Sequence, residues 1–490
     1  MSYSTQDESD YSVPSESEEE FAPQQPKARG KKAASNKLTI NDLSDTDVEP
    51  VKQKTTASNG RSVVPKKNAN KKQATLAESL DSGAGSAAAT PISAATAASS
   101  NSDRPVEEIY QKKSQLEHIL LRPDTYIGSV EPITETMWVY NDAEERMVQE
   151  AITYSPGLYK IVDEILVNAA DNKIRDSSMD TIKVTANKDT GVISVYNNGK
   201  GIPVQIHSKE GVYVPELIFG HLLTSSNYND NQKKVTGGRN GYGAKLCNIF
   251  SVEFIVETAD ASTGKKYRQV FKNNMSVIGK PSITAHKNKS EWTKITFKPD
   301  FGKFHMQGLE DGIYELIRRR VYDLAGCVKR VKVYFNEKRI SINSFKKYAE
   351  LYLKSPAKVV KDEASGNASD SDVSVVPSKP KPIANYVHEV FNDRWEVIIA
   401  VSEGQFHQVS FVNSINTVKG GTHVNHVVDQ VTTKVIESIS KKNKKQILRP
   451  YQVKNYLWVF VNSLIENAAF DSQTKETLTL RQNAFGSRCE

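Results

Sequence analysis

Cysteine, long apolar runs and, over the first hundred residues, aromatic side chains are what this sequence has least of. Its 490 residues include only Cys247, Cys327 and Cys489, with no Cys-x-x-Cys pair. That excludes a disulfide framework, offers no thiolate metal pair, and makes the cell interior the expected compartment. No run of about 18 apolar residues is present, so no spanning helix and no membrane partner are expected. The residues after Met1 carry no apolar leader segment. Before Glu107 the aromatic residues are Tyr3, Tyr11 and Phe21 alone. A segment so poor in large apolar groups cannot offset the entropy of ordering its backbone. The acidic, Ser-rich block Asp7–Glu20, the basic clusters Lys27–Lys32, Lys66-Lys67 and Lys71-Lys72, and the Ala/Ser/Thr-rich stretch Ala84–Ser100 all fall there. Residues 1–105 therefore read as a solvated, disordered tail. Its basic clusters read as nuclear import signals or weak DNA contacts, which makes the nucleus the expected location.

What is present is a mildly basic chain, net charge +7 and pI about 8.9, compatible with a nucleic-acid partner. Its length allows two to four domains. Glu107–Arg122 reads as a helix stopped by Pro123. Leu158–Arg175 reads as a second, with apolar residues at i, i+3, i+4, i+7, i+8 and i+11 from Leu158. Thr181–Asn187 and Val192–Tyr196 alternate around Asp189-Thr190-Gly191, a hairpin signal. Val252–Thr258, Tyr267–Phe271 and Trp292–Lys298 add strands, so a mostly antiparallel sheet with helices on one face is expected over 106–325. From Val331 the pattern restarts. Strands Val331–Phe335, Trp395–Ser402 and Gln408–Asn413 and long helices His423–Ser440 and Tyr451–Asn467 predict a second α+β domain over 326–490. Lys354–Pro382, rich in Ser, Asp, Lys and Pro, reads as a flexible insertion. There are no internal repeats.

Three segments carry the chemistry. On the second helix, Glu164, Asn168 and Asp171 are spaced i, i+4, i+7 and share a face away from the apolar stripe. A carboxylate there can orient and deprotonate water. An amide oxygen suits a magnesium ion that also holds phosphates. The plainer reading is a solvent-facing polar stripe. Asn197-Asn198-Gly199-Lys200-Gly201 ends a strand; its glycines let a flat ligand approach and Asn can pair with an aminopurine edge. The plainer reading is a hairpin turn. Thr236–Lys245 is a glycine-dense loop before a helix start, the backbone that aims amides at phosphates. It is not a Walker A loop, because no Gly-Lys-Ser/Thr closes it, and no βαβ unit surrounds it.

Together, in this order, these segments resemble the N-box and glycine boxes of the GHKL ATPase superfamily, and more closely the ATPase region of eukaryotic type II DNA topoisomerases. Gln115–Ser129, Asp163–Lys173, Leu222–Tyr228, Gly237–Phe250, Ser410–Asn413 and Asp471–Glu476 carry the likeness, which runs from about Glu107 to about Arg488 apart from the insertion. It implies an α+β fold, a GHKL-type ATPase domain followed by a transducer domain of the ribosomal-S5-like type. It implies ATP and Mg2+ as cofactors, duplex DNA as partner and a homodimer.

The resemblance also assigns roles. Glu164 would be the general base and Asn168 the magnesium ligand. Asn197 would meet the adenine, and Ser225, Ser226 and Asn227 the ribose and phosphates. Gly238, Arg239, Asn240, Gly241, Tyr242, Gly243, Ala244 and Lys245 would hold the triphosphate. Gln473, Thr474 and Lys475 would reach it from the transducer, Gln473 and Lys475 at the γ-phosphate. Tyr110 would lie in a strap that caps the partner's nucleotide. Asn197 stands where bacterial relatives carry Asp, which narrows the kinship to the eukaryotic branch. Lys441, Lys442, Lys444 and Lys445 form a basic loop that in this family contacts DNA, where composition alone gives a solvated turn. His423 and His426 read as ordinary helix residues, and Cys247 as core. Such enzymes cut DNA with a tyrosine and an acidic metal-binding domain downstream of this region, so no cleavage is expected from this chain alone. The alternative is a topoisomerase-like paralogue acting as a non-cleaving, ATP-gated DNA clamp or as a regulator that binds the full-length enzyme. A chaperone, mismatch-repair or histidine-kinase member of the superfamily is disfavoured by Gln473-Thr474-Lys475 and the lysine loop.

Overall fold

A computed structural model describes residues 105–225, 227–229, 231–354, 385–445 and 447–489. The expected tail and insertion fall almost wholly outside them. The first described residues, up to Gln111, belong to a separate unit. They form a one-turn helix, α1 (Val106–Ile109), followed by Tyr110, whose side chain is exposed.

The single helix expected over Glu107–Arg122 is two. The second, α2 (Gln115–Leu121), starts afresh at a capping box: the Ser114 hydroxyl accepts from the Glu117 N–H, and the Glu117 carboxylate accepts from the Ser114 N–H at 2.8 Å. Two otherwise unpaired amides are satisfied there, which makes Ser114 a start. Pro123 then opens α3 (Asp124–Ile127). A hairpin that the sequence pattern does not announce follows, β1 (Ile133–Asn141) against β2 (Arg146–Tyr154).

The central helix α4 (Pro156–Arg175) starts at Ser155, with Pro156 at N1, where a missing N–H costs nothing. Its apolar stripe, Leu158, Ile161, Ile165 and Ala169, is buried on the sheet as the spacing requires. The hairpin β3 (Thr181–Ala186) and β4 (Ile193–Asn198) forms as expected. Helices α5 (Val214–Gly220) and α6 (Gly243–Ile249) flank the site. Strands β5 (Ser251–Asp260), β6 (Lys265–Lys272), β7 (Val277–Ile278), β8 (Ser282–Ala285) and β9 (Trp292–Pro299) extend the sheet, and helix α7 (Asp311–Cys327) packs against α4. The next strand, β10 (Lys332–Phe335), does not join the second half of the chain, where the sequence pattern puts it. It pairs in parallel with β3, and β11 (Lys338–Arg339) closes that edge. The long α7 carries the chain back across the sheet, the geometry a parallel neighbour needs. The sheet order is β11-β10-β3-β4-β9-β5-β6-β7, with β8 also on β6.

After α8 (Phe345–Leu353), a five-stranded sheet comprises β12 (Tyr386–Phe391), β13 (Trp395–Val401), β14 (His407–Val412), β15 (Ile415–Asn416) and a later strand. Helix α9 (Thr422–Lys442) runs from it as expected. The long helix expected over Tyr451–Asn467 does not form. A short α10 (Pro450–Lys454) gives way to β16 (Leu457–Ser463), which lies between β13 and β14 at the middle of the sheet. Leu457 and Val459–Ser463 are buried and Trp458 is half-buried, so both faces of the strand are covered. A continuous apolar run has neither period, so a central strand and a buried helix look alike in sequence. Aromatic rings of both halves, including Tyr348, Tyr352, Phe411 and Phe460, join one core.

His423 is fully buried at the start of α9, with Nε2 3.1 Å from the Thr417 hydroxyl. Burial lowers its pKa to about 3. The unfolded chain therefore binds a proton below about pH 6.5 that the folded chain refuses until about pH 3, and stability falls as pH drops through that window. His423→Gln should flatten urea-denaturation stability between pH 6.5 and 4. An unchanged slope in the variant would assign the acid sensitivity elsewhere.

Candidate functional site

Between α4, the ends of β4 and β9, α5 and the loop before α6 lies a cavity of about 470 Å³. The polar face of α4 supplies its floor. Glu164 is 3% exposed, and two lysines sit on it: Lys160, one turn back, at 2.8 Å, and Lys475, from the second half of the chain, at 3.1 Å. Burial alone would raise its pKa. The two cations and their hydrogen bonds win and lower it to about 2. Glu164 is thus an ionised carboxylate at neutral pH. Lys160 carries no signal of its own in the sequence beyond its i−4 spacing from Glu164.

Asn168 lies one turn further along and lines the cavity. Its amide makes no hydrogen bond to another described residue, leaving its oxygen free for a ligand. Asp171 does not face the cavity with a free carboxylate. It accepts from the Gly237 and Gly238 amides, both at 2.8 Å, and so anchors the glycine loop to α4. Asn197 is buried at the end of β4, its amide donating to the Asn198 carbonyl at 3.0 Å. The apolar end around it is made by Ile165, Val195, Ile202, Pro203, Ile218 and Phe219. Asn172 and Lys200, which fall inside the segments Asp163–Lys173 and Asn197–Gly201, also line the cavity, as do Thr293 and Arg175, which no sequence motif marks.

Gly238 to Lys245 all line the cavity. Two glycines are sterically required. A Cβ on Gly243 would fall 2.1 Å from a Glu164 oxygen, and Gly241 has φ +71. Close approach of this backbone to the carboxylate is possible only without a side chain. The Lys245 ammonium donates to the Thr224 and Gly241 carbonyls, both at 2.7 Å, and burial lowers its pKa to about 8. It braces the loop; its charge is spent on backbone. Ser225 lines the cavity and its hydroxyl accepts from the Asn227 N–H, while the Asn227 amide reaches the Gly238 carbonyl. Ser226 lies outside the described residues.

The segment Asp471–Glu476 closes the cavity from the second half. Gln473 accepts from the Asn240 amide at 2.8 Å, and Lys475 holds a left-handed conformation, φ +61, that turns its side chain onto Glu164. Thr474 does not line the cavity; its hydroxyl meets that of Ser472 at 2.7 Å. Arg239 donates to the Asn467 and Ala468 carbonyls. Lys441, Lys442, Lys444 and Lys445 are all exposed, apart from this cavity, at the end of α9 and in the turn after it. They precede a short helix, not a second long one. Cys247 is buried, and burial raises its pKa well above the ordinary thiol value, as a core residue requires. Among the described residues no cluster of three His, Cys, Asp or Glu can hold a metal.

Two family models match, the histidine kinase-, DNA gyrase B- and HSP90-like ATPase over residues 153–303 and DNA gyrase B over 345–487. DNA topoisomerase 2 of Arabidopsis thaliana is 58% identical over 386 residues, 79% of this chain and 25% of that protein. The Saccharomyces cerevisiae protein of the same name is 54% identical over 382 residues, 78% and 26% respectively. The chain thus spans about a quarter of the length of these relatives. The crystal structure of the ATPase region of S. cerevisiae topoisomerase II superposes with a TM-score of 0.70 at 52% identity, covering 79% of this chain and 94% of that one. The ATPase and transducer domains of DNA topoisomerase II from Balamuthia mandrillaris give 0.71 at 47%, covering 79% and 93%.

Proposed function

Since the chain belongs to the DNA topoisomerase 2 family, within that family's ATPase region, we propose that it binds ATP with magnesium, hydrolyses it, and dimerises on ATP to capture a DNA duplex. The observation that carries this reading is the buried pairing of Glu164 with Lys475 in the cavity wall, two segments 311 residues apart in the chain. A carboxylate and a cation so placed suit water activation and phosphoryl-charge neutralisation. The donor set fits magnesium: Asn168 offers a free, hard amide oxygen, and such an ion completes its shell with phosphates and water. When bound it would neutralise charge on the nucleotide's phosphates.

Asn197 and the apolar end would receive the base, and the amides of Gly238–Gly243 the phosphates. A terminal phosphate competes with Glu164 for Lys475. Drawing Lys475 away leaves Glu164 with Lys160 alone and raises its basicity, so nucleotide arrival itself would arm the base. Gln473 and Lys475 report the phosphate to the second sheet, the transducer.

Tyr110 and the segment Glu107–Ile127 are assigned to the dimer. Sedimentation with a non-hydrolysable ATP analogue should give a dimer that weakens when residues before Ser114 are removed. A dimer indifferent to both would sink this assignment. The lysine loop is assigned to duplex DNA through its phosphates, which carry no sequence preference. Alanine at Lys441, Lys442, Lys444 and Lys445 should lower the log–log salt slope by about 0.9 for each phosphate no longer neutralised and remove DNA stimulation of the ATPase while basal turnover stays. An unchanged slope would make the loop a solvated turn. The whole enzyme's change of DNA topology, with action in the nucleus, is the setting proposed for this module. Retention of Glu164, Gln473 and Lys475 favours it over a hydrolysis-deficient clamp.

A further inference from the structure

The large sheet buries one face under α4, α6 and α7; the strand registers define what stands on the other. One cross-strand row reads Tyr334, Lys183, Tyr196, Lys294, Glu257 and Arg268, from β10 through β3, β4, β9 and β5 to β6. The neighbouring row places Trp292 on β9 and Lys266 on β6. All of these side chains are exposed or half-exposed. The rings and ammonium groups interleave: Lys183 lies 5.7 Å from the Tyr196 ring centre and 5.9 Å from that of Tyr334, Lys266 lies 5.7 Å from that of Trp292, and the Tyr196 and Trp292 rings are 5.9 Å apart. Lys183, Lys266, Arg268, Lys294 and Lys298 outnumber Glu253 and Glu257 on this face. Glu257 pairs with Lys294 and Glu253 with Lys272, each at 3.6 Å; among the described residues Lys183, Lys266, Arg268 and Lys298 lie outside these pairs. The face is cationic and carries aromatic rings.

From this placement we propose that the outer face of the large sheet binds single-stranded nucleic acid, a site distinct from the nucleotide cavity and from the lysine loop. Phosphates would meet the lysines and Arg268, and bases would stack on Trp292, Tyr196 and Tyr334 as the covering lysines swing to the backbone. Stacking on aromatic rings set among cations tolerates any sequence, because every base has a π-face. Six adjacent strands about 4.8 Å apart give the row a length of roughly 24 Å. A duplex hides its bases and gains nothing from the rings, so single strands are the favoured form.

The test is fluorescence anisotropy on the full chain with a labelled oligo-dT and, separately, a labelled duplex. Replacing Lys183, Lys266, Arg268 and Lys294 together with Gln should lower the single-strand salt slope by about 0.7 for each phosphate no longer neutralised. ATP turnover should stay at the parent value, since these side chains point away from the cavity. Trp292→Leu with Tyr334→Leu should weaken oligo-dT binding about tenfold, with little effect on duplex. Lysine-loop alanines should do the reverse. An unchanged single-strand slope in the four-Gln protein would overturn the proposal. So would equal losses on single strand and duplex with no effect of the two Leu substitutions. Displacement of oligo-dT by a synthetic Asp7–Glu20 peptide, with loss of the slope difference, would make the chain's own acidic segment the occupant and would equally overturn it.

Discussion

Glu164→Gln is expected to lower ATP turnover about 10²–10⁴-fold, the usual cost of losing a positioned general base, while nucleotide still binds. The glutamine keeps the shape that fits beneath Gly243, where there is no room for a reshaped side chain. It removes the charge on which Lys160 and Lys475 converge. Lys475 is then free of its resting partner, so affinity for a triphosphate should hold or rise. Single-turnover hydrolysis beside equilibrium binding of a non-hydrolysable analogue separates the two effects. Parent-rate turnover in the variant would remove Glu164 from the chemistry. Lost binding with lost turnover would instead mean that the three-way ion pair is needed for the fold of the cavity.

The second large effect is expected at Arg320, a residue no motif in the sequence marks. Its guanidinium is wholly buried and bonds Asp163 at 2.6 Å, the neighbour of Glu164 on α4. It also donates to the Ser414 carbonyl at 2.5 Å, in the turn between β14 and β15 of the second sheet. Asp323 lies 3.8 Å from it and in turn accepts from the Tyr348 hydroxyl at 2.7 Å. The neighbouring carboxylates hold its pKa above the ordinary value despite burial. Arg320→Met would take from Asp163 its hydrogen-bonded cation, leaving Lys160 at 3.7 Å, and from Asp323 one of two, leaving Arg319 at 3.6 Å, a loss on the order of 3–5 kcal/mol. Urea denaturation measures it. Adding Asp163→Asn to Arg320→Met should recover part of the loss, because the orphaned charge goes too. Arg320→Lys should keep the charge but lose the fork that spans α4 and the second sheet, so a drop in turnover larger than its drop in stability is expected. A loss below about 1 kcal/mol in Arg320→Met, within the range of ordinary surface substitutions and mild core changes, would show that the network carries little of the junction.

The central helix, the β3–β4 hairpin, the glycine loop and the polar face of α4 follow from local sequence alone. Each is written in local spacing: period 3.6 from Leu158 to Ala169, alternation around Asp189-Thr190-Gly191, and glycines crowded from Gly237 to Gly243 at a helix start. The same spacing puts Glu164 and Asn168 side by side without reference to the rest of the fold. What it could not decide was set by partners far along the chain. Leu457–Ser463 is a strand because β13 and β14 lie on either side of it and satisfy its backbone; its own apolar run suits a helix as well. Lys332–Phe335 joins the first sheet because α7 returns the chain to the edge at β3. Lys245 reads as a phosphate ligand by position, yet its ammonium meets two carbonyls, a matter of how two loops fold together. Lys475 and Arg320 gain their meaning only from partners hundreds of residues or whole domains away. Local hydrogen bonding and side-chain periodicity act over a few residues and are legible in order. The burial of a charge depends on everything packed around it, and that is fixed only when the chain is folded.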